Sequence, residues 1–112
     1  MDSTKILQLR EERARLYLGG GRERIARQHG AGKLTARERL ALLFDPNTFQ
    51  EWNLFVHHRS AHPDLIGREL PGEGVVTGLV LADQRPLYAA SQDFTVAGGS
   101  VGEAGTRKIA DI

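Results

Sequence analysis

Residues 91–103 read SQDFTVAGGSVGE, which predicts a strand, a glycine turn and a capped helix in succession. Ser100 can accept a hydrogen bond from the backbone N–H of Glu103, whose carboxylate can accept one from the N–H of Ser100 in return. The paired glycines Gly98 and Gly99 bring backbone N–H groups and the positive end of a helix dipole to a sheet edge, where a ligand can bind. The same junction occurs where a helix only packs tightly, so the motif alone leaves both interpretations open.

The residues before this junction have a hydrophobic period of two, which predicts strands. From Thr48 onward, Trp52, Leu54 and Val56 alternate with other side chains, as a half-buried strand requires. The stretches GVVTGLVL and PLYAAS predict two strands joined as a hairpin across ADQR. The second of them is apolar on both faces at 87–90, which predicts a central position in the sheet.

The first 45 residues are predicted to form a helical arm. A helix is expected over 3–18, with a narrow apolar stripe, and three glycines at 19–21 interrupt it. RERIARQH predicts a second helix that ends at glycines. A third helix begins at a capping box of Thr35 and Glu38 and ends at Asp45–Pro46, with Leu40, Leu43 and Phe44 on its apolar face. The sequence thus divides into an arm over 1–45 and the beginning of a sheet domain over 46–112.

Composition and charge limit the classes of function. The 112 residues form at most one domain, and the lack of cysteine excludes disulfides and thiolate metal sites. No signal peptide or long apolar run is present, which predicts a soluble, cytoplasmic protein that is not in a membrane. Residues 1–40 hold ten Lys/Arg against five Asp/Glu. This basic arm favours an anionic partner or simply a solvated helical surface.

The last predicted elements indicate that the sequence covers only part of a domain. The last predicted helix is still running at Ile112, and three strands with one helix cannot close a core. The chain is therefore interpreted as the front piece of a longer polypeptide.

Three long motifs together resemble one known family. They are LGGGRERIARQHGAGKLTARERLALLFDPNTFQEW, LPGEGVVTGLV and SQDFTVAGGSVGE, in register from about Leu9 to Ile112. The sequence resembles the start of the carboxyltransferase (beta) subunit of biotin-dependent acyl-CoA carboxylases of the propionyl-CoA carboxylase type. Related decarboxylase and transcarboxylase subunits share the pattern. Ala97 stands where that family usually has a bulky aromatic residue, so the acyl preference stays open.

That resemblance implies a crotonase-like α/β fold of the ClpP/crotonase superfamily, here only its N-terminal portion, which holds acyl-CoA. It implies transfer of a carboxyl group from carboxybiotin to the carbon next to the thioester carbonyl, in an oligomer, hexameric in the family. Biotin carboxyl carrier and biotin carboxylase components would be partners, and the mitochondrial matrix would be the location in a eukaryote. The amides that hold the developing enolate lie beyond Ile112 in the family, so no catalytic residue is assigned and the chain alone is expected to be inactive.

The candidate binding residues are chosen for the phosphates and the acyl arm of coenzyme A. Lys33 and Arg37 flank the start of the third helix and are candidates for phosphate contacts, with surface ion pairing or a subunit contact as the alternative. Gly98, Gly99 and Ser100 are expected to shape the pocket wall. Asp93 is interpreted as a turn cap.

Two further classes of function are not supported by the residues. The histidines His57, His58 and His62 lack the carboxylate or thiolate partners of a tetrahedral metal site, so no metal is predicted. No aromatic pair or recognition helix favours nucleic acid. A non-enzymatic assembly role for the arm remains the alternative.

Overall fold

Three helices precede the sheet in the computed structural model, which describes residues 3–56, 69–99 and 102–112. They are α1 (Ser3–Tyr17), α2 (Arg22–Gly30) and α3 (Ala36–Leu43), in the order and places that the sequence predicts. The capping box of α3 is confirmed: Glu38 N donates to Thr35 Oγ1 at 3.2 Å, and Thr35 N donates to Glu38 Oε1 at 2.9 Å. These two bonds satisfy N–H groups that the first turn of a helix leaves without partners.

The described strands form an antiparallel sheet in the order β1 (Gln50–Trp52), β2 (Val75–Ala82), β3 (Arg85–Gln92). The predicted hairpin is confirmed, with Val75 opposite Gln92 at its open end and Ala82 opposite Arg85 at its closed end. Its two turn residues, Asp83 and Gln84, have φ of 49° and 67°. Two left-handed residues give the turn whose twist matches that of the flanking strands.

The closed end of the hairpin is held by Asp45, which follows α3. Its carboxylate accepts hydrogen bonds from Asp83 N at 3.1 Å and from Gln84 N at 2.8 Å. Its own N–H donates to Leu81 O at 2.8 Å. The residue predicted only to end the third helix therefore also joins the arm to the sheet.

The core lies between α3 and one face of the sheet. Ala36, Leu40 and Val76 are buried together, and Phe44, Phe49 and Ala89 pack against them. On the other face, Trp52 and Tyr88 meet edge to face across the middle strand, with ring centroids 5.3 Å apart. Both rings remain partly exposed. Aromatic contacts of this kind stabilise a pair of strands beyond the area that they bury.

Three sequence predictions about burial and length are wrong. The first strand does not reach Val56, because Asn53 takes φ of 61° and ends it at Trp52. Leu87 and Tyr88 are 45% and 57% exposed, because β3 is an edge strand of the described sheet and β2 is the central one. Leu43 is exposed on α3, whereas Leu40 and Phe44 face the core.

The last helix, α4 (Glu103–Asp111), begins later than the sequence predicts. Gly102 is its N-cap residue and makes no side-chain cap hydrogen bond, so the predicted start at Ser100 is wrong. Ser100 itself lies outside the described residues. The Gly98–Gly99 turn that precedes it has φ of 64° and 75°, as a glycine turn requires.

None of the helices in the described ranges combines the length and the apolar character needed to cross a membrane.

Candidate functional site: a cleft between the arm and the sheet

A cleft of about 440 Å³ lies where the α1–α2 turn meets the loops at the open end of the hairpin. Its walls come from three parts of the chain. They are the arm (Arg15, Leu18, Gly19, Gly20, Gly21 and Arg24), the segment before β2 (Glu69, Leu70 and Pro71), and the loop after β3 (Val96 and Ala97). The last of these runs directly into the Gly98–Gly99 turn. The cleft therefore opens beside the junction from which the sequence predicts ligand contact.

The α1–α2 turn packs against the loop after β3 with almost no space between the two backbones. Gly20 N donates to Thr95 Oγ1 at 3.0 Å. A Cβ atom on Gly20 would overlap the carbonyl of Thr95, and one on Gly19 would overlap the carboxylate of Asp93. Gly19 also has φ of 53°. These two positions need glycine for close approach, so the glycine run of the arm positions one wall of the cleft.

Asp93 caps its own turn, as the sequence predicts. Its Oδ1 accepts from Thr95 N at 2.9 Å and from Thr95 Oγ1 at 2.5 Å, and both residues are buried. Its N–H donates to Gly74 O at 2.7 Å. The carboxylate of Asp93 thus makes its hydrogen bonds within the turn. These bonds order the loop that carries Val96 and Ala97 into the cleft.

Two arginines bring positive charge to the cleft. Arg15 forms ion pairs with Glu12 and with Glu69, the latter at 2.5 Å, and these two carboxylates raise the pKa of Arg15. Arg24 donates to Thr95 O at 3.3 Å. Because Arg15 is neutralised by two carboxylates, Arg24 is the cation of the cleft better placed to meet an anion.

The structure separates the residues that the sequence groups into one site. Lys33 lies over the ring of Phe94, with Nζ 5.3 Å from its centroid, and a Cβ on Gly99 would lie 3.5 Å from Phe94 Cα. Lys33 and the Gly98–Gly99 turn thus share a neighbour beside the cleft. Arg37 is instead held by Glu51, to which it donates two hydrogen bonds, and stacks on Tyr17 at 4.4 Å. Its ion pair is with a strand residue and not with the neighbouring Glu38.

A buried lysine near the cleft was missed by the sequence reasoning. Lys108 of α4 is 1% exposed, and its Nζ donates to Gly72 O at 2.8 Å and to Val75 O at 2.7 Å. Burial, which outweighs the nearby charge of Glu51, lowers its pKa to about 8. No sequence pattern marks this lysine: its spacing of three from Gly105 places both on one face of α4, and only the structure shows that this face is buried.

The candidate metal ligands are not brought together by the described residues. Within 3–56, 69–99 and 102–112, no group of three or more His, Asp or Glu side chains could hold a metal ion. The three histidines considered from the sequence, His57, His58 and His62, lie outside those ranges.

The architecture is that of the first part of a crotonase-like α/β domain. A solved transcarboxylase 12S structure superimposes on 99% of the chain with a TM-score of 0.95 and 43% identity, and the match covers 22% of that protein's chain. That structure is described as a hexamer with methylmalonyl-coenzyme A and methylmalonic acid bound. A single-chain long-chain acyl-CoA carboxylase has the same fold over 99% of the chain, with a TM-score of 0.82 and 26% identity.

Sequence comparison places the chain in a family. Residues 27–112 match the carboxyl transferase domain, and the chain belongs to the carboxyl transferase family. It is 52% identical over 108 residues to the methylmalonyl-CoA decarboxylase subunit alpha of Veillonella parvula, covering 96% of the chain and 21% of that protein. It is 50% identical over 105 residues to the propionyl-CoA carboxylase beta chain of Roseobacter denitrificans, covering 94% and 21%. The chain thus spans about a fifth of the length of these relatives.

Proposed function

We propose that the chain is the N-terminal part of an acyl-CoA carboxyltransferase subunit, and that its cleft receives the coenzyme A portion of a short-chain acyl-CoA. The match of residues 27–112 to the carboxyl transferase domain carries this proposal. The complete subunit would move a carboxyl group between biotin on a carrier domain and the carbon next to the thioester carbonyl. It would act as an oligomer in the cytoplasm, or in the mitochondrial matrix of a eukaryote, with a biotin carboxylase as a further partner.

The geometry of the cleft supports a ligand with an anionic end and an apolar arm. Arg24 supplies a cation at the wall of the cleft, and Leu18, Val96 and Ala97 supply apolar surface. Phosphates pair well with guanidinium groups, and an acyl or pantetheine chain packs on apolar walls. Lys33 and the Gly98–Gly99 turn, beside Phe94, extend this surface. Ser100 remains part of the proposal from sequence.

A division of labour within the subunit is part of the proposal. Enolate formation on a thioester needs fixed N–H donors at the carbonyl oxygen in a site shielded from water. The chain is proposed to bind and orient acyl-CoA, and the donors are proposed to come from other parts of the subunit. The arm over 1–45 and the sheet portion over 46–112 act here as one binding unit, because both contribute walls of the cleft.

Arg24→Ala tests the cleft in the complete subunit. We expect KM for acyl-CoA to rise about tenfold, because a charge-assisted contact to phosphate is lost. An acyl thioester of N-acetylcysteamine, which has no phosphate, should react equally well with wild type and variant. Arg22→Ala is the matched control, since Arg22 lies on the same helix and does not line the cleft. Equal loss with both thioesters would contradict phosphate binding by Arg24.

The direction of the reaction is the second point to test, because a decarboxylase and a carboxylase match the chain about equally well. The complete subunit should be assayed with propionyl-CoA plus a carboxybiotin donor and with methylmalonyl-CoA plus free biotin. Turnover in either assay supports carboxyl transfer. Because one catalyst accelerates both directions of the same equilibrium, the physiological direction is assigned by the partner that makes or consumes the carboxybiotin. Turnover in neither assay, with intact carrier and folded subunit, would refute the proposed function.

The chain by itself is expected to be inactive in both assays, since it is proposed to lack the donors for the enolate. Clear turnover by the 112-residue chain would refute this division of labour.

A further inference from the structure

The turn before β2 has an unusual backbone. Gly72, Glu73 and Gly74 follow one another with φ of 59°, 56° and 70°. Glu73 is not glycine and is 2% exposed, so a side chain with a Cβ is held in the left-handed region inside the protein. Such a conformation persists only when the surrounding structure enforces it.

Lys108 of α4 contacts this turn at two points. Its ammonium donates to the carbonyl oxygen of Gly72, inside the turn, and to that of Val75, immediately after it. The two acceptors bracket Glu73, and both distances are below 3 Å. A single cation therefore contacts the carbonyls on either side of Glu73 and Gly74. The three N–H donors of lysine, on a flexible four-carbon stem, allow one side chain to reach both carbonyls.

The charged groups around Lys108 belong to three further elements. Glu73 lies in the turn itself, Glu51 lies on β1, and Arg37 lies on α3, where it is paired with Glu51. The cluster holds two positive and two negative side chains. Its net charge of zero allows Lys108 to stay buried at the junction of the turn with α4.

The turn connects directly to two walls of the cleft. Leu70 and Pro71, which line the cleft, stand at its start, and Glu73 N donates to Leu70 O at 2.9 Å. At its other end, Gly74 O accepts from Asp93 N, which orders the loop that carries Val96. A change in the turn would therefore displace walls on both sides of the cleft together.

We infer that Lys108 is a positioning residue for acyl-CoA: it holds the 71–74 turn in its left-handed form and so sets the separation of the two cleft walls. This inference rests on the proposed function for its ligand. It assigns Lys108 no contact with the substrate and no role in the chemistry.

Lys108→Met tests the inference in the complete subunit. The substitution keeps most of the apolar stem and removes the donors. We expect KM for acyl-CoA to rise at least about fivefold while kcat changes less than about twofold, because binding geometry is disturbed and the reacting groups are not. Lys108→Gln, whose amide has two N–H donors, should restore KM to within about twofold of wild type. If the methionine variant does not fold, Lys108→Leu, which also removes the donors, takes its place.

Leu40→Ala is the control for loss of stability alone. Leu40 lies in the core under α3 and does not line the cleft. This variant should melt at a lower temperature and keep the KM of wild type. If Leu40→Ala raises KM as much as Lys108→Met, or if Lys108→Met leaves KM unchanged, the positioning role is refuted.

Hydrogen exchange separates failure of this inference from failure of the proposed function. The amide of Asp93, which donates to Gly74 O, should exchange at least about tenfold faster in Lys108→Met than in Leu40→Ala at matched global stability. This measurement needs no acyl-CoA. Faster exchange without any acyl-CoA binding in wild type would refute the proposed ligand and retain the effect of Lys108 on the turn. Unchanged exchange would refute the inference whatever the subunit binds.

Discussion

The two ends of the β2–β3 hairpin are held by opposite charges in opposite surroundings. At the closed end, the half-buried carboxylate of Asp45 accepts hydrogen bonds from the backbone N–H groups of an exposed turn. At the open end, the buried ammonium of Lys108 donates to two backbone carbonyls. The number and length of the bonds are similar. The exposure of these bonds to solvent differs.

That difference decides how much each end depends on its charged residue. Water can replace the carboxylate of Asp45, because the turn that it caps is exposed. The Val75 carbonyl that Lys108 contacts is buried and the Gly72 carbonyl is partly buried, so the donors of Lys108 are costly to remove. The open end is also where the α1–α2 turn packs closely against the loop after β3. We therefore expect substitutions at the open end to have the larger effects.

The largest effect is expected from Gly20→Ala, which would separate the arm from the open end. The added Cβ would overlap the carbonyl of Thr95, and the unfolding free energy should fall by about 3 kcal/mol. Gly30→Ala is the control, because a Cβ there meets nothing within 4 Å. Urea unfolding of both variants measures the difference. Equal stability of the two would show that the arm does not dock closely at Thr95.

The pH dependence of stability tests the open end without changing its shape. Burial lowers the pKa of Lys108 to about 8, with Glu51 and Glu73 opposing and Arg37 adding to the shift. Between that pH and the usual lysine pKa of about 10.5, the unfolded chain binds more protons than the folded one. Stability conferred by this group therefore rises with pH across that window.

The comparison with Lys108→Met isolates this contribution. The unfolding free energy of wild type minus that of the variant should rise by about 2 kcal/mol from pH 8 to pH 10.5. Lys5→Met, on the exposed side of α1, is the matched control. A flat difference for Lys108→Met would mean that its ammonium stays charged throughout.

A smaller effect is expected at the closed end. Asp45→Ala removes both side-chain acceptors for the hairpin turn and should cost about 1 kcal/mol, measured by thermal unfolding. Asp45→Asn keeps one acceptor oxygen and should lie between wild type and alanine. A loss larger than that of Lys108→Met would reverse the comparison of the two ends.

The smallest effect on stability is expected in the arm, away from both ends of the hairpin. Hydrogen bonds from His29 first, and then from Thr35, lower the pKa of Glu38 to about 2. Because that pKa is depressed, the contribution of Glu38 to stability is present above about pH 4.5 and is lost as pH falls toward 2. His29→Ala should raise the pKa of Glu38 in an NMR titration, and His29→Gln, which keeps a donor, should raise it less. An unchanged value would mean that Thr35 alone sets it.

Local patterns in the sequence were enough to predict most elements of the fold. The capping box at Thr35 and the period-two strands of the hairpin depend on neighbours along the chain, and both are confirmed. The burial of β3 was mispredicted because it depends on which strand lies beside it. The position of a strand in a sheet is set by contacts between distant residues, which periodicity does not record.

In the candidate site, too, local patterns predicted the turn but not the contacts between distant residues. Gly98 and Gly99 were predicted from a local turn and have the expected positive φ. Arg37 was grouped with Lys33 by its place in the sequence, but its guanidinium pairs with Glu51, 14 residues away on a strand. Lys108 was missed because a single lysine on a short amphipathic helix normally faces solvent. Its burial follows from carbonyls 33 and 36 residues earlier in the chain.

The edge-to-face contact of Trp52 with Tyr88 has a practical consequence. Trp52 is the single tryptophan of the 112 residues, and its ring lies 5.3 Å from that of a tyrosine on a different strand. At that separation, light absorbed by Tyr88 is emitted by Trp52, and the transfer stops when β1 leaves the hairpin. The ratio of tyrosine to tryptophan fluorescence therefore reports the assembly of three strands without any added label.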